Sequence, residues 1–77
     1  MSQFIVETTQ EEREAVLEAI RKTEGTTIPV RVLAEHAGLS QSRARYAILD
    51  LLEERKIARV ADKAFNKHYV RYSYKVL

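Results

Sequence analysis

The most regular stretch of the chain is VRVLAEHAGLSQSRARYAILDLLEERKI, from Val30 to Ile57. Its first apolar residues recur at helical spacing, and Gly38 then predicts the end of a helix because glycine tolerates the left-handed backbone. Ser40 predicts the start of another helix, since its hydroxyl can accept a hydrogen bond from a free amide of the next turn. The stretch therefore predicts a short helix, a tight turn around Leu39 and a longer helix.

The longer helix has one apolar side and one polar side. Its buried stripe is predicted at Ala44, Ala47, Ile48, Leu51 and Leu52. The outward side is left with Gln41, Ser42, Arg43, Arg45 and Tyr46. Leu49 is also on the outward side, where we expect the wing or a partner to cover it. A short helix, a glycine turn and a longer helix that begins with polar and arginine residues match the helix-turn-helix that enters the DNA major groove.

The residues before this stretch predict one more helix. Thr9 and Glu12 have the spacing of a capping box, and the apolar residues that follow indicate a helix over residues 10–23. Residues 26–28 are β-branched and predict a brief strand before Pro29. The apolar run at residues 4–6 is consistent with an edge strand or with a docking arm.

After Lys56 the apolar residues alternate, which predicts strands. We expect a strand at residues 57–61, a turn at residues 62–67 and a second strand at residues 68–77. One face of the second strand is predicted to carry Val70, Tyr72, Tyr74 and Val76. The whole pattern predicts an α+β fold, a winged helix-turn-helix with three helices and a small antiparallel β-sheet, as one domain over residues 1–77.

The same region resembles a known family. The run LAEHAGLSQSRARYAILDLLEERKIARV is similar to the FaeA/PapI-like small winged-helix transcriptional regulators. The similarity is greatest in the ARYxxLxLLE core at Ala44, Arg45, Tyr46, Leu49, Leu51, Leu52 and Glu53, and it covers about residues 30–77. The resemblance implies control of a fimbrial operon together with the leucine-responsive regulatory protein. The chain departs from the family pattern in its longer N-terminus and in its wing.

Positive charge is concentrated at the C-terminal end. The formal net charge is +2, but residues 1–24 carry six acidic and three basic side chains, residues 25–54 carry four and three, and residues 55–77 carry one and seven. This basic segment directly follows the predicted recognition helix. Nucleic acid therefore explains it better than a solvated charged surface does.

The predicted DNA-binding residues form two groups. The helix supplies Gln41, Ser42, Arg43, Arg45 and Tyr46, and the wing supplies Lys63, Lys67 and Arg71. Phe65 at the wing tip is expected either to enter the minor groove or to fold back onto the wing. The alternative for Tyr46 is that it packs against the wing.

The two arginines of the helix are expected to have different roles. Arginine donates to guanine edges or to phosphates, and the alternative for either one is an ion pair with Asp50 or another surface acid. Residues two apart on a helix diverge by about 200°, so Arg43 and Arg45 cannot easily serve the same base pair. We expect one to contact bases and the other the backbone, with Arg45 the preferred choice for the backbone.

Several classes of function are disfavoured by the residues themselves. The chain has no cysteine, and His36 and His68 lack companions at metal-ligand or catalytic spacing, so we expect no metal, no cofactor and no enzymatic activity. The sequence contains neither a signal-peptide pattern nor a long apolar run, which predicts a cytoplasmic protein without membrane association.

The sequence thus predicts a transcriptional regulator that binds specific sites in double-stranded DNA. It places the long helix in the major groove and the basic wing on the phosphate backbone. A second regulatory protein or a second copy of the chain is a further partner that the sequence leaves open. The alternative function is a winged-helix protein-protein interaction module that uses the same helix or the cationic wing.

Overall fold

The computed structural model describes residues 7–62 and 71–77, with the side chains of Asp62 and Arg71 left out. Its elements are α1 (Gln10–Thr23), β1 (Thr27–Ile28), α2 (Val30–Ala37), α3 (Gln41–Glu53), β2 (Ile57–Asp62) and β3 (Arg71–Val76). The strands form an antiparallel sheet in the order β1-β3-β2. Three helices with this small sheet are the α+β arrangement of a winged helix, as predicted.

The start of α1 has the predicted capping box. The backbone N–H of Glu12 donates to Oγ1 of Thr9 over 3.1 Å, and the backbone N–H of Thr9 donates to Oε1 of Glu12 over 2.9 Å. Two amides that would otherwise lack a helical partner are satisfied in this way, which fixes the first turn of α1.

The turn between α2 and α3 also follows the sequence closely. Gly38 has φ +69° and ψ +28°, the left-handed conformation that ends α2. The hydroxyl of Ser40 accepts a hydrogen bond from the backbone N–H of Arg43 over 3.2 Å and caps α3. Leu39, between the two caps, packs against the core. Both helices are therefore held at a defined angle by a very short connection.

The core lies where the three helices meet the sheet. Its largest fully buried side chains are Val16, Ile20, Leu33 and Leu51. Of the stripe predicted on α3, Ala44, Ala47, Ile48 and Leu51 are buried, and Leu52 is half-buried against the same cluster. Because α3 contributes four buried residues, its opposite side is held in a fixed orientation toward solvent.

The central strand β3 joins the other two strands. Tyr74 is buried, and Tyr72 and Val76 on the same face pack against the core, as their alternation predicts. The register sets Arg59 of β2 opposite Tyr74. Directly opposite residues of an antiparallel pair project to the same side of the sheet, so Arg59 extends over the face that carries the tyrosines.

The observed boundaries differ little from the predicted ones. Strand β1 is one residue shorter than expected, and β2 ends one residue later. The apolar run at residues 4–6, expected as an edge strand or a docking arm, lies outside the described residues, as do residues 63–67 of the predicted wing turn with Phe65 and residues 68–70 of the predicted last strand, including Val70. Each helix in the described part of the chain is too short or too polar to cross a bilayer.

Candidate nucleic-acid interface

The outward side of α3 is polar in its first two turns. Gln41, Ser42, Arg45 and Tyr46 are exposed, and the first turn contains no acidic residue. Leu49 follows one turn later and remains 48% exposed, so the described part of the chain does not cover it. This side of α3 therefore offers hydrogen-bond donors next to an uncovered apolar side chain.

Arg43 lies on the flank of α3 that faces α1. Its Nε donates to Oε2 of Glu12 over 2.7 Å and its Nη2 donates to Oε1 over 2.5 Å, a two-point ion pair. Nη2 also lies 3.2 Å from the carbonyl oxygen of Glu7, to which it donates. Arg43 therefore has the alternative role considered for it, an ion pair with an acidic residue of the same chain. That acid is Glu12 and not Asp50.

The ion pair shifts the pKa of both groups. The Arg43 guanidinium, with help from the Thr9 N–H, lowers the pKa of Glu12 from 4.5 to about 2. The hydrogen bonds from Arg43 to Glu12 in turn raise the pKa of Arg43. Both side chains therefore stay charged over the whole neutral range, and α3 is tied to the N-terminal turn of α1.

A second polar contact joins the segment just before α1 to α3. Thr8 is only 7% exposed, and its hydroxyl donates to Oδ2 of Asp50 over 2.5 Å. The hydroxyl also accepts a hydrogen bond from Nη1 of Arg13 over 2.9 Å. Asp50 is thereby engaged by Thr8 and does not pair with either arginine of α3. No sequence signal marks this buried threonine, because its partners come from distant positions.

Arg45 lies on the opposite flank of α3, as the angular spacing predicts. It borders an open groove between α3 and the sheet, with a volume of about 770 Å³, that we call the α3–sheet groove. The groove is lined by residues 28–31, by Gln41, Arg45, Ile48 and Leu49 of α3, and by Arg59, Tyr72 and Tyr74 of the sheet. The groove arises from the packing of α3 on the sheet, so neither spacing nor periodicity in the sequence predicts it.

Arg59 covers part of the sheet side of this groove. Its guanidinium carbon lies 4.5 Å from the centroid of the Tyr72 ring, a cation–π contact. The rings of Tyr72 and Tyr74 are 6.3 Å apart and tilted by 46°. Burial raises the pKa of Tyr74, while Arg59 opposes that shift. Tyr72 and Tyr74 are therefore packing residues of the sheet, and their neighbour Arg59 is the charged group that reaches solvent.

Three of the described residues that line the groove are arginines, which we call the groove arginines: Arg31, Arg45 and Arg59. All three are exposed, and none has a carboxylate within ion-pair distance among the side chains of residues 7–61 and 72–77. None of the described lining residues is acidic. Three uncompensated positive charges around one concave surface favour an anionic partner.

The predicted wing contacts are only partly within the described chain. Lys63 and Lys67 lie outside it. Arg71 begins β3, where its backbone pairs with Asp62, and its side chain is outside the described part. Sequence reasoning missed Arg31 and Arg59, which flank Arg45 only after folding. For Arg59 the sequence does contain one signal. Alternation along β2 sets it on the same side as the apolar Ile57, so the side of the strand that it occupies could have been predicted.

The described residues contain no group of three or more potential ligands arranged to hold a metal ion. Comparison of the chain with family models, with curated proteins and with solved structures gave no match. Function is therefore inferred from the geometry and charge of α3 and the groove beside it.

Proposed function

We propose that the protein is a transcriptional regulator that binds specific sites in double-stranded DNA, with α3 in the major groove. The observation that supports this most strongly is the position of Arg45. It is exposed on a helix whose outward N-terminal half is polar and lacks acids, and it has no carboxylate partner among the described residues. A helix of this kind, preceded by a short helix and a tight turn, is the usual reader of the major groove.

The two flanks of α3 suggest separate tasks. Arg43 is held by Glu12, so its role in this proposal is to fix the angle between α3 and α1. Arg45 is the arginine of α3 that can donate to a guanine edge or to a phosphate. This assignment differs from the expectation drawn from the sequence, in which Arg45 was preferred for the backbone, because Arg43 is engaged by Glu12 whereas Arg45 has no carboxylate partner among the described residues.

Arg31 and Arg59 extend the positive surface on the side of Arg45. Phosphate contacts orient a protein on the duplex, and base contacts provide its specificity. We assign Arg31 and Arg59 to phosphate contacts, and Gln41, Ser42, Arg45 and Tyr46 to the major groove. Lys63, Lys67 and Arg71 remain predicted phosphate contacts of the wing.

A second candidate function is supported by the apolar part of the same surface. Leu49 is 48% exposed and Tyr46 is 38% exposed, and they are one turn apart on α3. Exposed apolar side chains beside a concave surface are typical of protein contacts. In this alternative, α3 and the groove bind an acidic partner protein.

A salt-titrated binding measurement distinguishes the two functions. The protein is titrated into a random duplex and into duplexes from the region upstream of its own gene, at several salt concentrations. Binding through phosphates weakens steeply with salt, by about 0.9 in the logarithmic slope for each phosphate neutralised. A preference for one upstream duplex would support the regulator. No binding to any duplex at low salt would contradict it and favour the interaction module.

A further inference from the structure

The floor of the α3–sheet groove is apolar, which duplex DNA does not require. Ile28 and Ile48 are buried at its base, and Leu49 remains half exposed at its edge. DNA bound to α3 would use the charge of the groove arginines but would leave this apolar floor without a partner. A ligand that contacts both the floor and the groove arginines therefore needs an apolar part and an anionic part.

The size of the groove limits what can fill it. Its volume of about 770 Å³ is within the range of about 300–1,000 Å³ that is typical of small-molecule sites. Such sites are mostly apolar, with a few polar groups that fix the orientation of the ligand. The α3–sheet groove has this composition, with the guanidinium groups of the groove arginines as its charged groups.

The charge of the groove determines the charge of the ligand. All three groove arginines lack a carboxylate partner within the described chain, and the described lining is free of acidic side chains. Guanidinium binds carboxylate with two parallel hydrogen bonds, a geometry that ammonium cannot reproduce. An apolar tail would lie on the aliphatic floor while the carboxylate meets the arginine border.

We propose that the α3–sheet groove binds a small carboxylate with an apolar aliphatic tail. Since Arg45 belongs both to the groove and to the exposed side of α3, such a ligand would compete with DNA for that arginine. The competition rests on the proposed function, whereas binding of the carboxylate itself does not. The ligand would thus act as an effector that releases the protein from its DNA site.

The test uses three probes on the 77-residue chain, without DNA, and records amide chemical shifts by NMR. The probes are acetate and two amphiphiles, decanoate and decyltrimethylammonium, each amphiphile kept below its critical micelle concentration. Acetate has the charged group without the tail, and decyltrimethylammonium has the tail with the opposite charge. We expect decanoate alone to cause saturable shifts, centred on Val30, Arg45, Leu49 and Tyr72. Shifts of similar size with decyltrimethylammonium, or no saturable shifts with decanoate, would overturn the proposal.

Matched variants locate the site. Arg31→Gln and Arg59→Gln should each weaken decanoate binding about tenfold, the effect of losing one charge-assisted contact. Lys75→Gln removes the same charge from an exposed residue outside the groove and should leave decanoate affinity unchanged. Unperturbed spectra away from the substituted residue will show that each variant is folded. Equal weakening by all three variants would mean that only overall charge matters, and would also overturn the proposal.

Competition is measured separately, by fluorescence anisotropy of a labelled duplex. Decanoate should lower the apparent affinity for DNA at concentrations near its own dissociation constant, whereas acetate should not. If no duplex binds, the proposed function fails while the NMR result still decides whether the groove takes a carboxylate. If DNA binds and decanoate saturates the groove without displacing it, the effector role is wrong.

Discussion

Arg43 of α3 and Glu12 of α1 form a two-point ion pair, with Nε 2.7 Å from one carboxylate oxygen and Nη2 2.5 Å from the other. Glu12 is at the same time the carboxylate of the α1 capping box. A single side chain therefore both caps the first helix and fixes α3 against it. The orientation of α3 depends on this contact as well as on the buried stripe.

The first prediction concerns acid. The pKa of Glu12 is about 2 in the folded protein and 4.5 in the reference state that stands for the unfolded chain. The stability that the ionised Glu12 carboxylate contributes to the fold is therefore fully present above about pH 4.5. It is lost as the pH falls from there toward 2, because Glu12 must then be protonated. Glu12→Gln should be less stable than wild type near neutral pH, and the difference should narrow over this acidic window.

Urea denaturation of both proteins between about pH 7 and pH 2 measures that difference. Glu11→Gln is the matched control, since it removes a carboxylate from the same turn that has no ion pair among the described residues. A stability difference for Glu12→Gln that stays constant through the acidic window would show that the ion pair does not stabilise the fold.

The second prediction compares two leucines of α3. Leu51 is fully buried, and Leu51→Ala should lower the free energy of unfolding by about 2–5 kcal/mol, the usual range for buried leucines. Leu49 is half exposed, so Leu49→Ala should cost less than about 1 kcal/mol. Chemical denaturation of both variants measures the two losses in the free energy of unfolding. Similar losses for the two would mean that Leu49 is covered in the folded protein.

The third prediction concerns the turn of the helix-turn-helix. A Cβ at Gly38 would meet no atom within 4 Å, but the backbone has φ +69°. Gly38→Ala should therefore destabilise by about 1–2 kcal/mol through backbone conformation alone. Gly38→Asn should cost less, because asparagine tolerates the left-handed region better. If alanine and asparagine cost the same in thermal unfolding, backbone preference is not the cause.

The fourth prediction follows from the basic C-terminal segment. Lys63 and Lys67 are predicted phosphate contacts of the wing and lie outside the described residues. Lys63→Ala and Lys67→Ala should each weaken binding to all duplexes alike and reduce the salt slope by about one unit. The slopes come from binding titrations at several salt concentrations, and unchanged slopes in both variants would remove the wing from the DNA contact.

The sequence predicted those features that depend on neighbours in the chain. Gly38 ends α2 and Ser40 caps α3 as expected, and the Thr9–Glu12 capping box formed, because each involves residues four or fewer apart. The apolar stripe of α3 was predicted for the same reason, since helical periodicity identifies the buried side directly.

The candidate site was only partly predictable. Glu12 has a local capping role that accounts for its presence, so its pairing with Arg43, 31 residues away, left no separate signal. Likewise, Arg31, Arg45 and Arg59 belong to three different elements and meet only when α3 packs on the sheet. Contacts of this kind depend on tertiary packing, which periodicity and spacing do not encode.

The central claim is that the side of α3 bearing Arg45 contacts DNA. The most direct measurement is the salt dependence of binding to one duplex for wild type, Arg45→Gln and Lys75→Gln. Both variants lose one positive charge, but Lys75 is an exposed residue of β3 that does not line the groove. We predict that Arg45→Gln weakens binding about tenfold or more, the effect of losing about 1–3 kcal/mol, while Lys75→Gln stays close to wild type. Equal affinities and equal salt slopes for all three proteins would contradict the assignment of α3 as the DNA-binding helix.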